Sequence, residues 1–186
     1  VFKGIQGYPS RYDLEMTPAG LMVTDTQTGE LFQAELAKKL NVPFFDTDVL
    51  LEKILLCSIP EYFKKHGESE FRNEELKLIS EYPFPDKCII STGGGLPCYN
   101  DSMTILNKLG VTVYLQLQPQ AIFERLKINR SKRPLVAHLT EEDLLIFIQN
   151  QLKKREFDYN KAHHTINGIN LNANKIILLP NPLQKN

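Results

Sequence analysis

Arginines and a run of three glycines are the residues of this sequence best suited to chemistry on small anions. The arginines are Arg72, Arg133 and Arg155, and the glycines close the run at 91–95, Ser-Thr-Gly-Gly-Gly. The planar fork of an arginine pairs bidentately with a carboxylate or a phosphate, and consecutive glycines let the backbone approach a small polar ligand closely. Together these residue types predict a receptor for two anions, and hence a small acidic substrate.

Two aspartates supply groups that phosphoryl transfer needs. Asp46 and Asp48 follow a short apolar run at 42–45. Magnesium in phosphoryl-transfer sites is held by one or two carboxylates, and a general base must reach the acceptor hydroxyl. The pair therefore suits a magnesium ligand and a base, although a role for Asp48 as a helix N-cap explains that residue equally well.

The arginines also have purely structural explanations. A single arginine on a helix, such as Arg72, is usually solvated or paired with a nearby glutamate. Arg155 lies on the last strong helical pattern, where a cation favours the C-terminal end of the helix dipole. The glycines at 93–95 are harder to explain in this way, because glycine is entropically costly and needs a conformational or steric reason to occur three times in a row.

Length and composition favour one domain that acts on small molecules. The chain has 186 residues, long enough for one well-buried core, so we expect a single domain over 1–186. Its 22 basic and 22 acidic side chains cancel, which argues against nucleic acid or an anionic membrane as a partner. Cys57, Cys88 and Cys98 are odd in number and lack C-x-x-C spacing, which favours a reducing, cytoplasmic compartment. We see no membrane span or signal peptide.

Short apolar runs alternate with helical patterns, which predicts a parallel sheet crossed by helices. Predicted strands lie at 42–45, 87–91, 111–117 and 164–166, and predicted helices start near Asp48, Ser58, Glu70, Ser102, Gln120 and Thr140. Ligands of such sheets bind beyond the carboxyl ends of the strands. Asp46, Asp48 and the glycines at 93–95 should therefore share one rim.

A basic stretch separates the last two predicted helices. Residues 127–138 include Lys127, Arg130, Lys132 and Arg133 but no acidic residue, and Pro134 follows them. This composition is typical of an exposed loop that closes over phosphates. Further along, the apolar run at 176–179 suits either a last strand or a packed extension.

The order and spacing of these motifs resemble the shikimate kinase family over about residues 34–166. The motifs are, in chain order, Leu-Ala-Lys-Lys-Leu at 36–40, Asp-x-Asp at 46–48, Gly-Glu-x-x-Phe-Arg-x-x-Glu at 67–75, the glycine run at 91–95, Arg-Pro-Leu at 133–135, and Arg-x-x-x-Tyr-x-x-x-His at 155–163. Each fragment is weak by itself. Their combination is specific.

The resemblance implies a fold and a reaction. The fold would be a three-layer α/β/α domain of the P-loop kinase type with a central five-stranded parallel sheet, a helical substrate-binding region at about 48–80 and a lid at about 128–140. The reaction would be ATP-dependent phosphorylation of shikimate to shikimate 3-phosphate in aromatic amino acid (chorismate) biosynthesis, with Mg²⁺. The protein would be a monomer.

The resemblance also implies roles for matching residues. Asp46 would hold magnesium, and Asp48 would bind the acceptor hydroxyls as base or orienter. Arg72 and Arg155 would clamp the shikimate carboxylate, and Gly93, Gly94 and Gly95 would support the ring. Arg133 in the lid would neutralise charge on the transferred phosphoryl group, and Arg130 would join it in binding the nucleotide.

The front of the chain departs from the family pattern. A G-x-x-G-x-G-K-[ST] phosphate loop should follow the first strand. Gap-free counting from 36–40 places residues 26–30 in its slot, with Gly29 at the lysine position. A first strand at 1–7 puts Ser10 there, and one at 20–22 is followed by no glycine or lysine through residue 27.

Three explanations of this departure stay open. Residues 1–33 are not a faithful sequence, or the phosphate loop is an unfamiliar variant, or the chain is a shikimate-binding or scaffold protein that does not catalyse. A kinase for another small molecule, such as gluconate or a nucleotide, is the alternative within the same architecture.

Overall fold

A parallel β-sheet forms the centre of the computed structural model, which describes residues 20–24, 30–129, 138–169, 171 and 173–180. The strands are β1 (Gly20–Thr24), β2 (Phe44–Asp46), β3 (Ile89–Thr92), β4 (Gly110–Gln116) and β5 (His164–Asn167). They pair in the order β2-β3-β1-β4-β5, with all four pairings parallel. Because the strands are parallel, the carboxyl ends of β2 and β3 meet at one rim, with Asp46 in register with Ser91.

Helices connect the strands. They are α1 (Glu30–Leu40), α2 (Thr47–Leu55), α3 (Ile59–Glu81), α4 (Ser102–Leu109), α5 (Pro119–Asn129), α6 (Glu141–Tyr159) and α7 (Ala173–Ile177). A 3₁₀ turn, Leu96–Cys98, follows the glycine run. This alternation of strands and helices confirms the predicted α/β class.

Neighbouring residues of β3 show that helices cover both faces of the sheet. Ile89 packs in a cluster with Leu36 of α1 and Ile176 of α7. Ile90, the next residue, packs in a second cluster with Ile79 of α3 and Leu106 of α4. Successive side chains of a strand point to opposite faces, so the two clusters lie on opposite sides of the sheet.

The helix starts predicted near Ser58 and Thr140 are confirmed. The Ser58 side chain accepts the backbone N–H of Glu61 while the Glu61 carboxylate accepts the backbone N–H of Ser58, which is the reciprocal capping box. Thr140 caps α6 by accepting the backbone N–H of Asp143. These local hydrogen bonds depend on a few adjacent residues, which is why the sequence predicts them well.

One expectation needs correction. The N-cap of α2 is Asp46 and not Asp48: the Asp46 carboxylate accepts the backbone N–H groups of Asp48 and Val49, so α2 begins two residues earlier than a cap at Asp48 would place it. The break expected between two helices near Gly67 is confirmed: Gly67 is non-helical, with φ 83° and ψ 174°, and separates two helical segments within α3. The apolar tail is the short helix α7, so it is the packed extension and not a strand.

The position of β1 bears on the phosphate-loop question. The sequence allows a first strand at 1–7 or at 20–22. The structure has the second, as Gly20–Thr24, and α1 begins at Glu30. The five residues between them, 25–29, are Asp-Thr-Gln-Thr-Gly and contain no lysine. They lie outside the described residues.

No helix in the described part of the chain is long and apolar enough to cross a membrane.

Candidate active site

Two arginines that are far apart in the sequence line the same cavity. The cavity has a volume of about 400 Å³ and is lined by Glu68, Ser69, Arg72, Gly95, Cys98, Tyr99 and Arg155. Helix α3 supplies one wall, the glycine run and its 3₁₀ turn supply the floor, and α6 supplies Arg155. The structure thus brings together Arg72, Arg155 and the third glycine of the run, as a receptor for a small acid requires.

Arg72 is held in place by α3 itself. Its Nη1 is 2.5 Å from Oε2 of Glu75, and its Nη2 is 3.2 Å from Oε1 of Glu68. The guanidinium carbon also lies 5.6 Å from the ring centre of Phe71 and 6.0 Å from that of Phe63. With only 15% of its side chain exposed, the guanidinium is fixed against the cavity wall and does not extend into solvent.

Gly95 makes room for this guanidinium. A Cβ atom built on Gly95 would collide with the guanidinium carbon and with both Nη atoms of Arg72. The backbone of Gly95 is in the ordinary right-handed region, with φ −85° and ψ −34°, so its conformation does not require glycine. The steric need for glycine at this position therefore comes from Arg72.

Gly93 lies beside the carboxylate of Asp48. A Cβ built on Gly93 would lie 3.1 Å from Oδ1 of Asp48 and 3.5 Å from Oε1 of Glu75. The backbone N–H of Gly93 points to the hydroxyl of the buried Thr47, at 3.4 Å. The first glycine of the triplet therefore adjoins Asp48, and the third adjoins Arg72.

Glu75 is a buried acid between these two groups. Its side chain is 1% exposed, and its Oε1 has no hydrogen-bond partner among the described residues. Burial, assisted by the charge of nearby Asp48, raises the pKa of the Glu75 carboxyl to about 7 despite the opposing effect of Arg72. In the sequence, Glu75 is notable only as the last residue of the motif at 67–75, and the signal for its role is its spacing of three residues from Arg72 on one helix face.

Tyr159 ties α6 to the glycine run. Its hydroxyl donates to the backbone carbonyl of Gly94 at 2.7 Å, and its ring lies 4.8 Å from that of Tyr114. Burial raises the pKa of Tyr159 to about 12, so the phenol is neutral and remains a donor at ordinary pH. Since Arg155 lies one helical turn earlier on α6, this hydrogen bond sets the distance between Arg155 and the glycines.

Cys98 and Tyr99 line the cavity although sequence analysis gives them no role there. Burial raises the pKa of the Cys98 thiol to about 11, and its Sγ lies 3.9 Å from the carbonyl of Gly94. The hydroxyl of Tyr99 donates to Oδ1 of Asn73 on α3 at 3.0 Å. The only sequence signal for either residue is its position within five residues of the glycine run.

Asp46 has a structural task in addition to its predicted one. One of its carboxylate oxygens, Oδ1, accepts the two capping hydrogen bonds of α2, at 2.9 and 3.1 Å. Within the described residues, no group of three or more His, Cys, Asp or Glu side chains could hold a metal ion. Asp46 therefore fits a magnesium ion that is held mainly by phosphates and water, and does not fit a metal cage built by the protein alone.

Arg130 and Arg133 lie outside the described residues, as does most of the predicted lid. The residues that flank this segment are joined: Nζ of Lys127 on α5 is 2.8 Å from Oε1 of Glu141 on α6. The lid prediction stays a prediction.

Comparison with known proteins identifies the family. The family model described as shikimate kinase matches residues 32–178. The chain belongs to the shikimate kinase family. A shikimate kinase of Bacteroides thetaiotaomicron is 37% identical over 131 residues, which are 70% of this chain and 75% of that protein, and one of Flavobacterium johnsoniae is 39% identical over 133 residues, with shares of 70% and 77%. The predicted family and function as an ATP-dependent small-molecule kinase are thereby confirmed.

Solved structures of shikimate kinases share the fold. The enzyme from Bacteroides thetaiotaomicron superposes with a TM-score of 0.75 at 33% identity, covering 81% of this chain and 86% of that one. A shikimate kinase from Acinetobacter baumannii in complex with shikimate has the same TM-score at 26% identity, covering 87% and 92%. A gluconokinase from Sinorhizobium meliloti reaches 0.51 at 15% identity, which shows a shared fold and no more.

Proposed function

We propose that this member of the shikimate kinase family transfers the γ-phosphoryl group of ATP to a hydroxyl of shikimate and so forms shikimate 3-phosphate for aromatic amino acid biosynthesis. One observation carries the proposal: Arg72 and Arg155 line a single cavity together with Gly95. A cavity of about 400 Å³ suits a small organic acid. Two cations in it suit one carboxylate.

The carboxylate clamp is the best-supported part. We assign the acid of shikimate to the guanidinium groups of Arg72 and Arg155, and the ring to the backbone of residues 93–95. The half-buried position of Arg72 strengthens its pairing with an anion, because less water screens the charges. Gluconate carries a carboxylate and a nucleotide carries phosphates, so an arginine pair would suit either of them as well. The match to the shikimate kinase family supports shikimate over these alternatives.

Asp48 is assigned to the acceptor hydroxyl. Its carboxylate adjoins Gly93, while Arg72 adjoins Gly95, so the two groups would face opposite ends of a ring lying along the glycines. In the transfer step, the hydroxyl oxygen forms a bond to phosphorus, the bond from phosphorus to the leaving oxygen of ADP breaks, and the carboxylate of Asp48 orients the hydroxyl or takes its proton.

The donor side is assigned from the resemblance. Asp46 would help to hold Mg²⁺ through the oxygen not used in capping α2, and the ion supplies charge that neutralises the phosphates. Arg133 and Arg130 would neutralise charge on the transferred group from a lid at 128–140. We further propose a single domain over 1–186, a substrate-binding region at about 48–80, a monomeric state and a cytoplasmic location.

A specific observation supports a second candidate, a shikimate-binding protein with impaired catalysis. The residues between β1 and α1, at 25–29, contain a single glycine and no lysine, whereas the loop that cradles nucleotide phosphates in P-loop kinases has three glycines and a lysine. Such a protein would keep the acid clamp and lose the donor site.

Calorimetry combined with a turnover assay separates the two candidates. A kinase binds shikimate and ATP and releases ADP only when both are present. A binding protein gives heat with shikimate, none with ATP and no ADP. If shikimate failed to bind at all, or if Arg72→Ala bound it as tightly as the wild type, the assignment of the clamp would be wrong.

A further inference from the structure

Two unlike carboxylates hold the guanidinium of Arg72. Glu75 contacts Nη1 at 2.5 Å and is 1% exposed, whereas Glu68 contacts Nη2 at 3.2 Å and is 70% exposed. Both lie on α3, three residues after Arg72 and four residues before it. Both terminal nitrogens of Arg72 therefore already contact an acid of the protein's own helix, and a substrate carboxylate that binds both of them would compete with these acids.

The two partners differ in how easily they can leave. Glu75 is enclosed by the core, and moving it away from Arg72 would leave a buried carboxylate without its counter-ion, which is costly. Glu68 is 70% exposed, so water solvates its carboxylate when it leaves Arg72, and this pair is easier to break than the pair with Glu75. When another anion binds Arg72, we therefore expect the Glu68 carboxylate, and not that of Glu75, to leave the guanidinium.

The backbone next to Glu68 allows it to move. Gly67 interrupts α3 with φ 83° and ψ 174°, so Glu68 begins the second half of the helix and has no regular helical turn before it. Glu68 also lines the cavity itself, together with Arg155. Its carboxylate therefore lies within the space that a clamped acid would share.

We propose that Glu68 is an internal competitor of the substrate carboxylate: it occupies Nη2 of Arg72 when the cavity is empty and leaves when an acid binds. The proposal rests on the proposed function, because it takes the substrate carboxylate to bind at Arg72. Only a ligand that carries its own negative charge can replace Glu68 on the guanidinium. Glu68 thus favours acids over neutral polyols of the same shape, and it weakens binding of the acid to achieve this.

Glu68→Gln tests the proposal, because it keeps the size of the side chain and removes the charge. Titration calorimetry of the full chain with shikimate should show binding about 3- to 10-fold tighter than that of the wild type, since an exposed ion pair no longer has to be broken and a like charge is gone from the cavity. Glu70→Gln is the matched control. It removes an exposed carboxylate from the same helix, outside the cavity lining, and should change affinity by less than about 2-fold.

The methyl ester of shikimate supplies a readout that a change in fold would not reproduce. The ester cannot replace Glu68 as a charge, so Glu68→Gln should improve binding of the acid relative to that of the ester. Unchanged or weaker binding of shikimate by Glu68→Gln, with the wild type binding normally, overturns the competitor role alone. Absence of shikimate binding in both proteins overturns the proposed function and this inference with it.

Discussion

The acceptor and donor sides of the site differ in what the sequence supplies to each. On the acceptor side, Arg72, Arg155 and Gly95 come from three separate elements and meet at one cavity. On the donor side, β1 is followed by residues 25–29, Asp-Thr-Gln-Thr-Gly, where a phosphate loop with its lysine is expected. In the proposed function, recognition of the acid and recognition of nucleotide phosphates rest on different parts of the chain, so we expect that each can be altered without the other.

The largest effect should come from rebuilding the donor side. Replacing residues 25–30 with an eight-residue G-x-x-G-x-G-K-T segment should raise kcat with ATP about 100-fold, because one well-placed charge on the transferred phosphoryl group is worth about that much. Binding of shikimate should stay within about 2-fold.

The same segment with alanine in place of the lysine is the control, and it should recover only part of the gain. If the unaltered chain turned over as fast as the rebuilt one, residues 25–30 would already form a competent donor site.

Adding a methyl group to Gly95, on the acceptor side, should have the next largest effect, and this effect is on shikimate binding. The Gly95→Ala substitution should weaken shikimate binding about 30-fold, because the new Cβ displaces the guanidinium of Arg72 and a charged hydrogen-bonded contact is lost. The free energy of unfolding should also fall, by about 1–3 kcal/mol, because the displaced guanidinium leaves the buried Glu75 carboxylate without its counter-ion, although the backbone of Gly95 suits alanine. Calorimetry measures the affinity for shikimate, and urea denaturation measures the free energy of unfolding. Wild-type affinity in the variant would contradict the packing of Arg72 on Gly95.

The buried acid of the acceptor side should make stability depend on pH. The pKa of Glu75 is about 7 in the folded protein and near 4.5 when unfolded, so the folded state binds this proton more tightly and stability falls as pH rises through that interval. Glu75→Gln has no such proton. The free energy of unfolding of the wild type minus that of the variant should therefore fall by up to about 2 kcal/mol between pH 5 and pH 8. Urea denaturation of both proteins at the two pH values measures it, and a difference that grows with pH would refute the raised pKa.

The smallest effect should come from the hydroxyl that joins α6 to the glycine run. Tyr159→Phe removes the donor to the Gly94 carbonyl and should cost about 1 kcal/mol of stability and weaken shikimate binding about 3-fold. Tyr99→Phe is the control, because its hydroxyl bonds only the exposed Asn73 side chain at 3.0 Å and should matter less to stability. Equal losses in the two variants would argue against a special role for Tyr159.

Local signals in the sequence predicted most of the fold, and they singled out the two arginines that line the cavity. Capping residues such as Ser58 and Thr140 act on their own neighbours, so spacing alone locates the helix starts. The cap at Asp46 was missed because Asp46 and Asp48 are both good N-cap residues, and the difference depends on where β2 ends.

Contacts between distant elements were beyond the sequence. Glu75 reads as an ordinary helix carboxylate until α3 is packed against the rim of the sheet, where burial changes its pKa. The steric reason for Gly95 is a guanidinium from another helix, and the partner of Tyr159 is a carbonyl 65 residues away. The exposed Glu68 becomes notable only when it is seen on the same guanidinium as Glu75.

The convergence of two arginines on one acid is tested most directly by a double-mutant cycle. Shikimate affinity is measured by calorimetry for the wild type, Arg72→Ala, Arg155→Ala and the double variant, with urea denaturation to confirm that each is folded. We expect each single change to weaken binding at least about 10-fold, and the double change to cost less than the sum by about 1 kcal/mol, because both groups hold the same carboxylate. Wild-type affinity in Arg155→Ala would contradict the shared clamp.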